Sequence, residues 1–347
     1  MKYSIISLIL AVCIFMVYCN SKINSQPTQI TKPTTTNTDS SFYKGADISW
    51  VTEMEANNYN FYDSSGTKKD AFLLMKELGF NSLRFRVWVH PENQWNSLPD
   101  LINKCLRAKA LNFNILIDFH YSDYWADPGK QTKPALWQNT HYDALKDSLF
   151  NHTTLVLSAL KNMGITPRWV QIGNEVDDGM LWPDGKASIN MKYFAELINT
   201  GYQASKSIFP ATEVMVHVSN GFNSQLFDWI FSGLTQNGAR FDIIGMSLYP
   251  SLNNWQTINS QCLANITQLI KKYNKDIYIV EIGMPYSAPE TSFQFISDLI
   301  TKVKSIPNFR GKGVMYWEPE CYNWQNYQLG AFDLSGKPTK ALQPFQK

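Results

Sequence analysis

The residue spacings typical of metal sites, nucleotide sites and activated serines are missing from this chain of 347 residues. It has five cysteines and five histidines, with no C-x-x-C pair and no histidine spacing typical of a metal site. No P-loop occurs, no G-x-G-x-x-G opens the first crossover, and no G-x-S-x-G marks a nucleophile elbow. We therefore expect neither a bound metal nor a cofactor.

The chain also lacks an excess of one charge, since it contains 31 basic and 29 acidic residues. No stretch of residues 42–347 concentrates Lys or Arg. A nucleic-acid partner is therefore not expected. Aromatic residues, in contrast, make up 14% of the chain, with 11 Trp and 17 Tyr. Such rings form platforms in sugar-binding clefts, and a large aromatic core is the alternative interpretation.

The first 41 residues differ in composition from the rest. Residues 1–19 contain an apolar run from Ile5 to Tyr18, which is too short for a membrane span of roughly 20 residues and is typical of a signal peptide. Cys19 follows the run where a bacterial lipoprotein would carry its lipid anchor; cleavage without lipidation is the alternative. Residues 20–41 are rich in Ser, Thr, Asn, Gln and Pro and indicate a flexible linker. We expect an exported protein, either secreted or held on a bacterial outer membrane or cell surface as a lipoprotein.

Residues 42–347 alternate between strand-like and helix-like segments. Repeated strand-helix units predict a parallel sheet with right-handed crossovers, and about eight units in this length match a single catalytic domain of the α/β class with the (β/α)8 TIM-barrel fold. A doubly wound open sheet is the competing fold. The candidate strands are Tyr43 to Ile48, Ser82 to Val89, Asn114 to Phe119, Trp169 to Ile172, Glu213 to Val218, Ile243 to Ser247, Ile277 to Glu281, and Gly313 to Trp317.

Two glutamates close apolar runs that we interpret as the fourth and seventh strands. Glu175 follows Ile172-Gly173-Asn174, and Glu281 ends Ile277-Tyr278-Ile279-Val280. An unpaired carboxylate is costly to bury in a sheet, whereas at the carboxyl end of a barrel strand it faces the cleft. The pair therefore suggests catalytic acids, although a single glutamate at such a place is more often a salt-bridge or capping residue.

The other strands also carry polar residues toward their carboxyl ends. Alternation puts Arg84, Arg86 and Trp88 on one face of the second strand, and two guanidinium groups there need carboxylate partners. Asp118 and His120 end the third strand, but with no third ligand in place we interpret them as hydrogen-bonded cleft residues rather than a metal site. Cys105 lies on an apolar helical face and is expected to be a buried free thiol, while a disulfide among the cysteines of the body is left open.

Taken with these strand ends, the chain from Gly45 onward resembles the glycoside hydrolase family 53 arabinogalactan endo-β-1,4-galactanases, which belong to a clan of (β/α)8 retaining glycosidases. The Asn174-Glu175 pair marks only the clan; the run from Asp118 to Asp123 with Trp125-Ala126-Asp127-Pro128 is more specific. The strings that carry the resemblance are Gly45-Ala46-Asp47-Ile48-Ser49, Arg84-Phe85-Arg86-Val87-Trp88-Val89, Ile117-Asp118-Phe119-His120-Tyr121-Ser122-Asp123, Trp125-Ala126-Asp127-Pro128, Ile172-Gly173-Asn174-Glu175, Leu181-Trp182-Pro183-Asp184-Gly185, and Tyr316-Trp317-Glu318-Pro319.

The resemblance implies a role for each matching residue. Glu175 would be the general acid/base and Glu281 the nucleophile, with their carboxyl groups roughly 5 Å apart for retention. Asn174 would bind the sugar 2-hydroxyl, and Arg84 would keep the nucleophile ionised. The remaining matches are to support and cleft positions: Tyr249 near the nucleophile, His217 and Trp317 beside the cleaved residue, the polar pair Asp118 and His120, and Trp125.

The chain departs from the family pattern at two places. The strand-five motif usually continues His-x-Asp-Asn-Gly, whereas here Ser219 stands at the Asp position, which puts subsite contacts in doubt. Several bacterial members carry an Asp-rich calcium loop after strand seven, but residues 284–290 lack such oxygen ligands, so we expect no calcium there.

The resemblance implies hydrolysis of β-1,4-galactan, a polysaccharide of pectin side chains, by a monomer. Two other functions are compatible with the catalytic pair or the fold. A clan relative cleaving mannan or xylan would share both glutamates, and a surface glycan-binding protein would keep the barrel without the chemistry. The presence of both glutamates together with Arg84 argues against the second.

Overall fold

The computed structural model describes residues 42–346 and contains a closed barrel of eight parallel strands. Adjacent strands pair in sequence order, and the first strand, Tyr43–Asp47, pairs with both the second, Ser82–Val87, and the eighth, Gly311–Trp317, which closes the barrel. The (β/α)8 fold predicted from the sequence is thereby confirmed. The strands are β1 (Tyr43–Asp47), β2 (Ser82–Val87), β3 (Asn114–Phe119), β4 (Trp169–Ile172), β5 (Glu213–Val218), β6 (Ile243–Leu248), β7 (Asp276–Ile282) and β8 (Gly311–Trp317).

Eight α-helices lie between the strands in the part of the chain that the structure describes. The first is a short helix in the loop after β1, and the other seven connect successive barrel strands. They are α1 (Val51–Ala56), α2 (Ala71–Glu77), α3 (Leu98–Ala110), α4 (Tyr142–Asn162), α5 (Ala187–Ile208), α6 (Ser224–Gln236), α7 (Trp255–Tyr273) and α8 (Pro289–Lys304). Local caps fix several starts: the Asp70 carboxylate accepts the Leu73 N–H before α2, and Asn223 accepts the Leu226 N–H before α6.

Two features were not predicted from the sequence. A two-stranded antiparallel sheet, Phe61–Tyr62 with Lys68–Lys69, lies between α1 and α2. After β8 the chain forms a 3₁₀ segment, Lys340–Gln346, in the place of a last α-helix; Pro344 inside it has no N–H to donate. Phe345 of this segment packs on Phe80 just before β2, with ring centroids 4.6 Å apart.

The barrel interior has an apolar lower layer and a polar upper layer. The lower layer is a cluster of buried side chains from every strand except β2, namely Tyr43, Leu116, Trp169, Met215, Ile243, Tyr278, Val280 and Met315. Gln171 follows Trp169 by two residues on β4 and therefore points to the same face of the sheet. Its side chain lies among the buried polar groups of the upper layer. Alternation along the strands therefore places chemistry at the carboxyl end above a packed core.

The predicted signal peptide, the predicted linker and Cys19 lie outside the described residues. Within residues 42–346 no helix has the length and apolar character needed to cross a membrane. Cys105, Cys262 and Cys321 are all buried free thiols, as expected for Cys105.

Candidate active site

A cleft of about 560 Å³ opens at the carboxyl end of the barrel strands. Its floor holds Glu175 and Glu281, and its walls are mostly aromatic and amide side chains. The lining residues are Trp50, His120, Trp125, Ala126, Asp127, Asn174, Glu175, Tyr249, Glu281, Trp317, Gln325, Asn326 and Tyr327.

Glu281, near the end of β7, is held at both carboxylate oxygens. Oε1 accepts a hydrogen bond from Arg84 Nη1 at 2.8 Å, and Oε2 accepts one from the Tyr249 hydroxyl at 2.9 Å. Both donors favour the ionised carboxylate. The geometry fixes the carboxylate in one orientation on the floor of the cleft.

Arg84 is the centre of a buried ion network below the cleft. Its guanidinium pairs with Asp47 at 2.8 Å, Asp118 at 2.9 Å and Glu281 at 2.8 Å. Its remaining hydrogens go to Asn174 Oδ1 at 2.8 Å and to Gln171 Oε1 at 3.2 Å. One cation thus orders three carboxylates and the amide beside the second catalytic candidate, which agrees with the sequence argument that the β2 arginines need carboxylate partners.

Glu175 lies in the turn after β4 with an unusual backbone. Its φ is +44°, and that of Gly173 is +79°, so the chain reverses sharply as it leaves the strand. The side chain is half-buried, and its Oε1 lies 2.7 Å from the Ser247 hydroxyl oxygen. The turn lifts the carboxyl group from the strand end into the cleft.

The pKa values of the two glutamates are raised to different extents. Burial, followed by the charge of Glu281, raises the pKa of Glu175 well above the usual value for a glutamate. Burial also raises the pKa of Glu281, but the Arg84 guanidinium and the Tyr249 hydroxyl oppose that rise. The family resemblance implied that Arg84 keeps Glu281 ionised. Arg84 does lower the pKa of Glu281, but burial raises it by more. The pKa of Glu175 is nevertheless raised further than that of Glu281, whose charge Arg84 and Tyr249 stabilise.

The two histidines of the site occupy different depths. His120 Nδ1 faces the N–H groups of Trp88 at 3.2 Å and Ala126 at 3.3 Å, so its Nε2 carries the proton and donates to Asp118 at 2.9 Å. Burial opposes ionisation of Asp118, but Arg84 and His120 hold its pKa below the ordinary value. His120 therefore lies in the cleft wall against a fixed anion.

His217 is completely buried and does not line the cleft, which differs from the position beside the cleaved residue that the sequence predicted. It lies behind the acid/base candidate, with Nδ1 2.9 Å from Asn174 Oδ1 and Nε2 2.7 Å from Ser247 Oγ. Burial, and then the Arg84 charge, lower its pKa well below the usual value, so the ring is neutral.

Aromatic rings form one wall of the cleft. Trp50 and Trp125 lie 5.6 Å apart between centroids, and Trp317 lies 5.1 Å from Trp50 and 4.8 Å from Tyr327. The Arg86 guanidinium supports the wall from below, 4.3 Å from the centre of the Trp125 ring. Such a wall offers flat apolar faces to a sugar ring, with polar groups at its edges.

Two further glutamates lie beneath this wall. Arg86 Nη1 pairs with Glu318 at 2.6 Å, and burial raises the pKa of Glu318 to about 7. Glu320 is completely buried, and neither of its carboxyl oxygens has a hydrogen-bond partner among residues 42–346. Burial and the neighbouring Glu318 raise the pKa of Glu320 well above the usual value, which favours the protonated carboxyl.

The strand-five departure has a structural counterpart. Asp177, two residues after Glu175, accepts the Ser219 N–H at 2.8 Å and also the Ser219 hydroxyl. A carboxylate is therefore present beside position 219 although residue 219 itself is serine. Burial raises the pKa of Asp177, and its hydrogen bonds to Ser219 work against that rise.

All ten residues singled out in the sequence lie in or directly below this cleft. Seven line it (Glu175, Glu281, Asn174, His120, Tyr249, Trp125 and Trp317), and three are buried beneath it (Arg84, Asp118 and His217). Sequence reasoning missed the buried partners Gln171 and Ser247 and the cleft residues Trp50 and Tyr327. Ser247 could have been found from its position two residues before Tyr249, on the same face of β6. In residues 42–346 no three His, Cys, Asp or Glu side chains are grouped so as to hold a metal ion.

Comparisons with known proteins give a consistent result. Residues 43–345 match the model of Glycosyl hydrolase family 53. An arabinogalactan endo-beta-1,4-galactanase of Thermothelomyces thermophilus is 33% identical, covering 88% of this chain and 99% of that protein. Among solved structures, a fungal beta-1,4-galactanase aligns with a TM-score of 0.81 at 31% identity over 88% of this chain and 99% of its own. The family 53 catalytic domain of Ignisphaera aggregans aligns with a TM-score of 0.79 at 27% identity, covering 88% and 96%.

Proposed function

Because the chain belongs to glycosyl hydrolase family 53 and is therefore a glycoside hydrolase, we propose that it is an arabinogalactan endo-β-1,4-galactanase that retains the anomeric configuration. The observation that carries the proposal is the pair Glu175 and Glu281 in one cleft, with pKa values separated by Arg84 and Tyr249. Two carboxyl groups with different protonation are what a double displacement requires. The galactanase relatives support galactan as the substrate.

In the first step the ionised Glu281 attacks the anomeric carbon while Glu175 gives its proton to the departing glycosidic oxygen. The bond between sugar and leaving oxygen breaks as the Glu281 ester forms. Arg84 and Tyr249 hold the nucleophile in place, and Asn174 lies beside both carboxyl groups, within reach of the sugar 2-hydroxyl.

In the second step Glu175 takes a proton from water, whose oxygen attacks the anomeric carbon and releases Glu281. Forming the ester removes the Glu281 charge, which is one of the causes of the raised Glu175 pKa. The pKa of Glu175 therefore falls in the intermediate, when this residue has to act as a base. The same carboxyl group can serve both steps for this electrostatic reason.

The open cleft supports internal cleavage of a polymer. Trp50, Trp125 and Trp317 form a wall on which successive sugar rings can stack. Gln325 and Asn326 add amide groups on the same cleft. A neutral polysaccharide such as the galactan side chains of pectin matches this combination of ring faces and amides.

The test is product analysis with purified β-1,4-galactan, mannan, xylan and cellulose. The wild type should release oligosaccharides from galactan with the β-anomer formed first by NMR, and Glu281→Ala and Glu175→Gln should lose nearly all turnover. Substantial activity in both variants would contradict the assignment of the pair. Cleavage of mannan or xylan instead of galactan would indicate a clan relative that acts on another polysaccharide. Binding without cleavage would indicate a glycan-binding protein.

We further propose that the protein is exported and acts as a monomer, with Cys19 carrying a lipid anchor that holds the barrel at a bacterial surface. The support is the apolar run from Ile5 to Tyr18, followed by the polar composition of residues 20–41. Mass spectrometry of the mature N-terminus should find a lipidated Cys19. A mature chain cleaved elsewhere and carrying no lipid would favour secretion.

A further inference from the structure

Behind Glu175 lies a chain of polar groups, of which the mechanism above does not use Ser247 and His217. Glu175 Oε1 lies 2.7 Å from Ser247 Oγ, which lies 2.7 Å from His217 Nε2, and His217 Nδ1 lies 2.9 Å from Asn174 Oδ1. Ser247 and His217 are completely buried, so water does not compete for these contacts. The direction of the hydrogen bonds decides which form of Glu175 the chain favours.

The direction starts at Asn174, whose amide orientation is fixed from two sides. Arg84 Nη2 donates to Oδ1 at 2.8 Å, and Nδ2 donates to the Ala126 carbonyl at 2.9 Å. The oxygen therefore faces His217, and it has a second lone pair available.

The neutral His217 ring carries one N–H proton, which lies on either Nδ1 or Nε2. Gln171 Nε2 lies 3.2 Å from Nδ1, but its two hydrogens serve closer acceptors, Asp118 Oδ1 at 2.6 Å and the Gly173 carbonyl at 3.0 Å. The other donor facing Nδ1 is the Glu175 N–H, at a long 3.4 Å. The 2.9 Å contact with Asn174 Oδ1 is therefore the better bond, and it requires the proton on Nδ1.

With Nδ1 protonated, His217 Nε2 is an acceptor and takes the only hydroxyl hydrogen of Ser247. We propose that Ser247 is a positioning residue whose oxygen accepts the O–H of protonated Glu175, so that the chain Glu175, Ser247, His217, Asn174 stabilises the acid form. Every link in this state has one donor and one acceptor. The proposal rests on the acid/base role given to Glu175 above.

The chain has a consequence for each half of the reaction. When the Glu175 O–H bond breaks and the glycosidic oxygen gains the proton, Ser247 must turn its hydrogen to the carboxylate, and His217 Nε2 loses its donor. One hydrogen bond is then missing until Glu175 takes a proton from the attacking water. Ser247 therefore favours the return of the proton in the second step.

Charged and titratable groups also face Glu175 from the surrounding elements, and Ser247 acts beside them. The charges of Glu281 and Asp177 favour the proton on Glu175, whereas the charge of Arg84 disfavours it, as would a Ser247 hydroxyl that donated to the ionised carboxylate. Tyr249 from β6 and His217 from β5 are neutral in the working range. Because serine is uncharged, removing its hydroxyl leaves all of these charges in place.

The first test is the pH dependence of kcat/KM on β-1,4-galactan for the full-length wild type, Ser247→Ala and Ser247→Thr. The alkaline limb of this pH profile reports the pKa of Glu175 in the free enzyme. Loss of a hydrogen bond to the acid form should move this limb to lower pH by about half to one pH unit in Ser247→Ala. Ser247→Thr keeps the hydroxyl and should leave the limb in place, whatever its kcat. A limb that stays, or moves to higher pH as it would if Ser247 donated to the carboxylate, overturns the proposal.

The second test does not depend on activity. With ¹⁵N-labelled histidine in the full chain, the ring nitrogens of His217, assigned by comparison with His217→Asn, should show a protonated Nδ1 and a bare Nε2. A proton on Nε2 overturns the proposal even if galactan is cleaved. A protonated Nδ1 in a protein that does not cleave galactan would instead contradict only the substrate.

Discussion

Removing the Tyr249 hydroxyl should move the acidic limb of the pH profile without removing the nucleophile. Tyr249 donates to Glu281 Oε2 at 2.9 Å, and this bond favours the ionised carboxylate. In Tyr249→Phe the pKa of Glu281 should rise, so activity is lost at a higher pH as the solution is acidified. The alkaline limb, which reports Glu175, should move much less.

The size of the effect follows from the type of bond. A hydrogen bond to a charged group contributes about 1.5–3 kcal/mol, and the lower end applies here because Tyr249 is 36% exposed and water can replace part of the contact. One pH unit corresponds to about 1.4 kcal/mol, so the acidic limb of kcat/KM should move up by about one pH unit. Arg84 still pairs with Oε1, which keeps the carboxylate in place.

The assay is initial-rate hydrolysis of galactan across the pH range for the wild type, Tyr249→Phe and Tyr327→Phe. Tyr327 is a matched control, because it lines the same cleft and its hydroxyl has no hydrogen-bond partner among residues 42–346. Its acidic limb should stay in place. An acidic limb that does not move in Tyr249→Phe, or that moves equally in both variants, would refute this account of how Glu281 is kept ionised.

Arg84→Lys should lower the free energy of unfolding by about 3–5 kcal/mol in urea titrations, because an ammonium group cannot pair with Asp47, Asp118 and Glu281 together; a loss below about 1 kcal/mol would contradict the network. Glu320→Gln should flatten the pH dependence of stability. The folded chain keeps a proton on Glu320 that the unfolded chain releases above its ordinary pKa, so wild-type stability falls as pH rises through that range. Scanning calorimetry between about pH 5 and pH 8 should show a larger drop of Tm in the wild type than in the variant, and equal drops would mean that Glu320 is not protonated. Added chelator should leave both Tm and activity unchanged, and a fall in either would indicate a metal site that the sequence argument missed.

The barrel was predictable because its strands are short apolar runs with polar residues at their carboxyl ends, a pattern that also located Glu175 and Glu281. The sequence could not reveal the hairpin Phe61–Tyr62 with Lys68–Lys69, since two-residue strands have no periodicity. It also gave no sign that the last unit ends in a 3₁₀ segment instead of a helix.

Within the site, residues with distinctive chemistry were found and plain ones were missed. A serine inside a strand, such as Ser247, carries no chemical signature until the structure shows what it contacts. His217 was assigned to the cleft through the family resemblance, but burial depends on which neighbours cover a side chain, and here Asn174 and Ser247 cover it. Depth in the barrel is a tertiary property that strand position alone does not determine.

The bond between Asp177 and Ser219 bears on how this rim can change by mutation. In this chain an aspartate at position 219, as in the usual family motif, would lie against the carboxylate of Asp177. A chain with aspartate at both positions places two carboxylates against each other, and a chain with aspartate at neither leaves the N–H of residue 219 without its acceptor at a cost of about 1–3 kcal/mol. The residues at positions 177 and 219 are therefore energetically coupled, because changing either one alone lowers the stability of this rim.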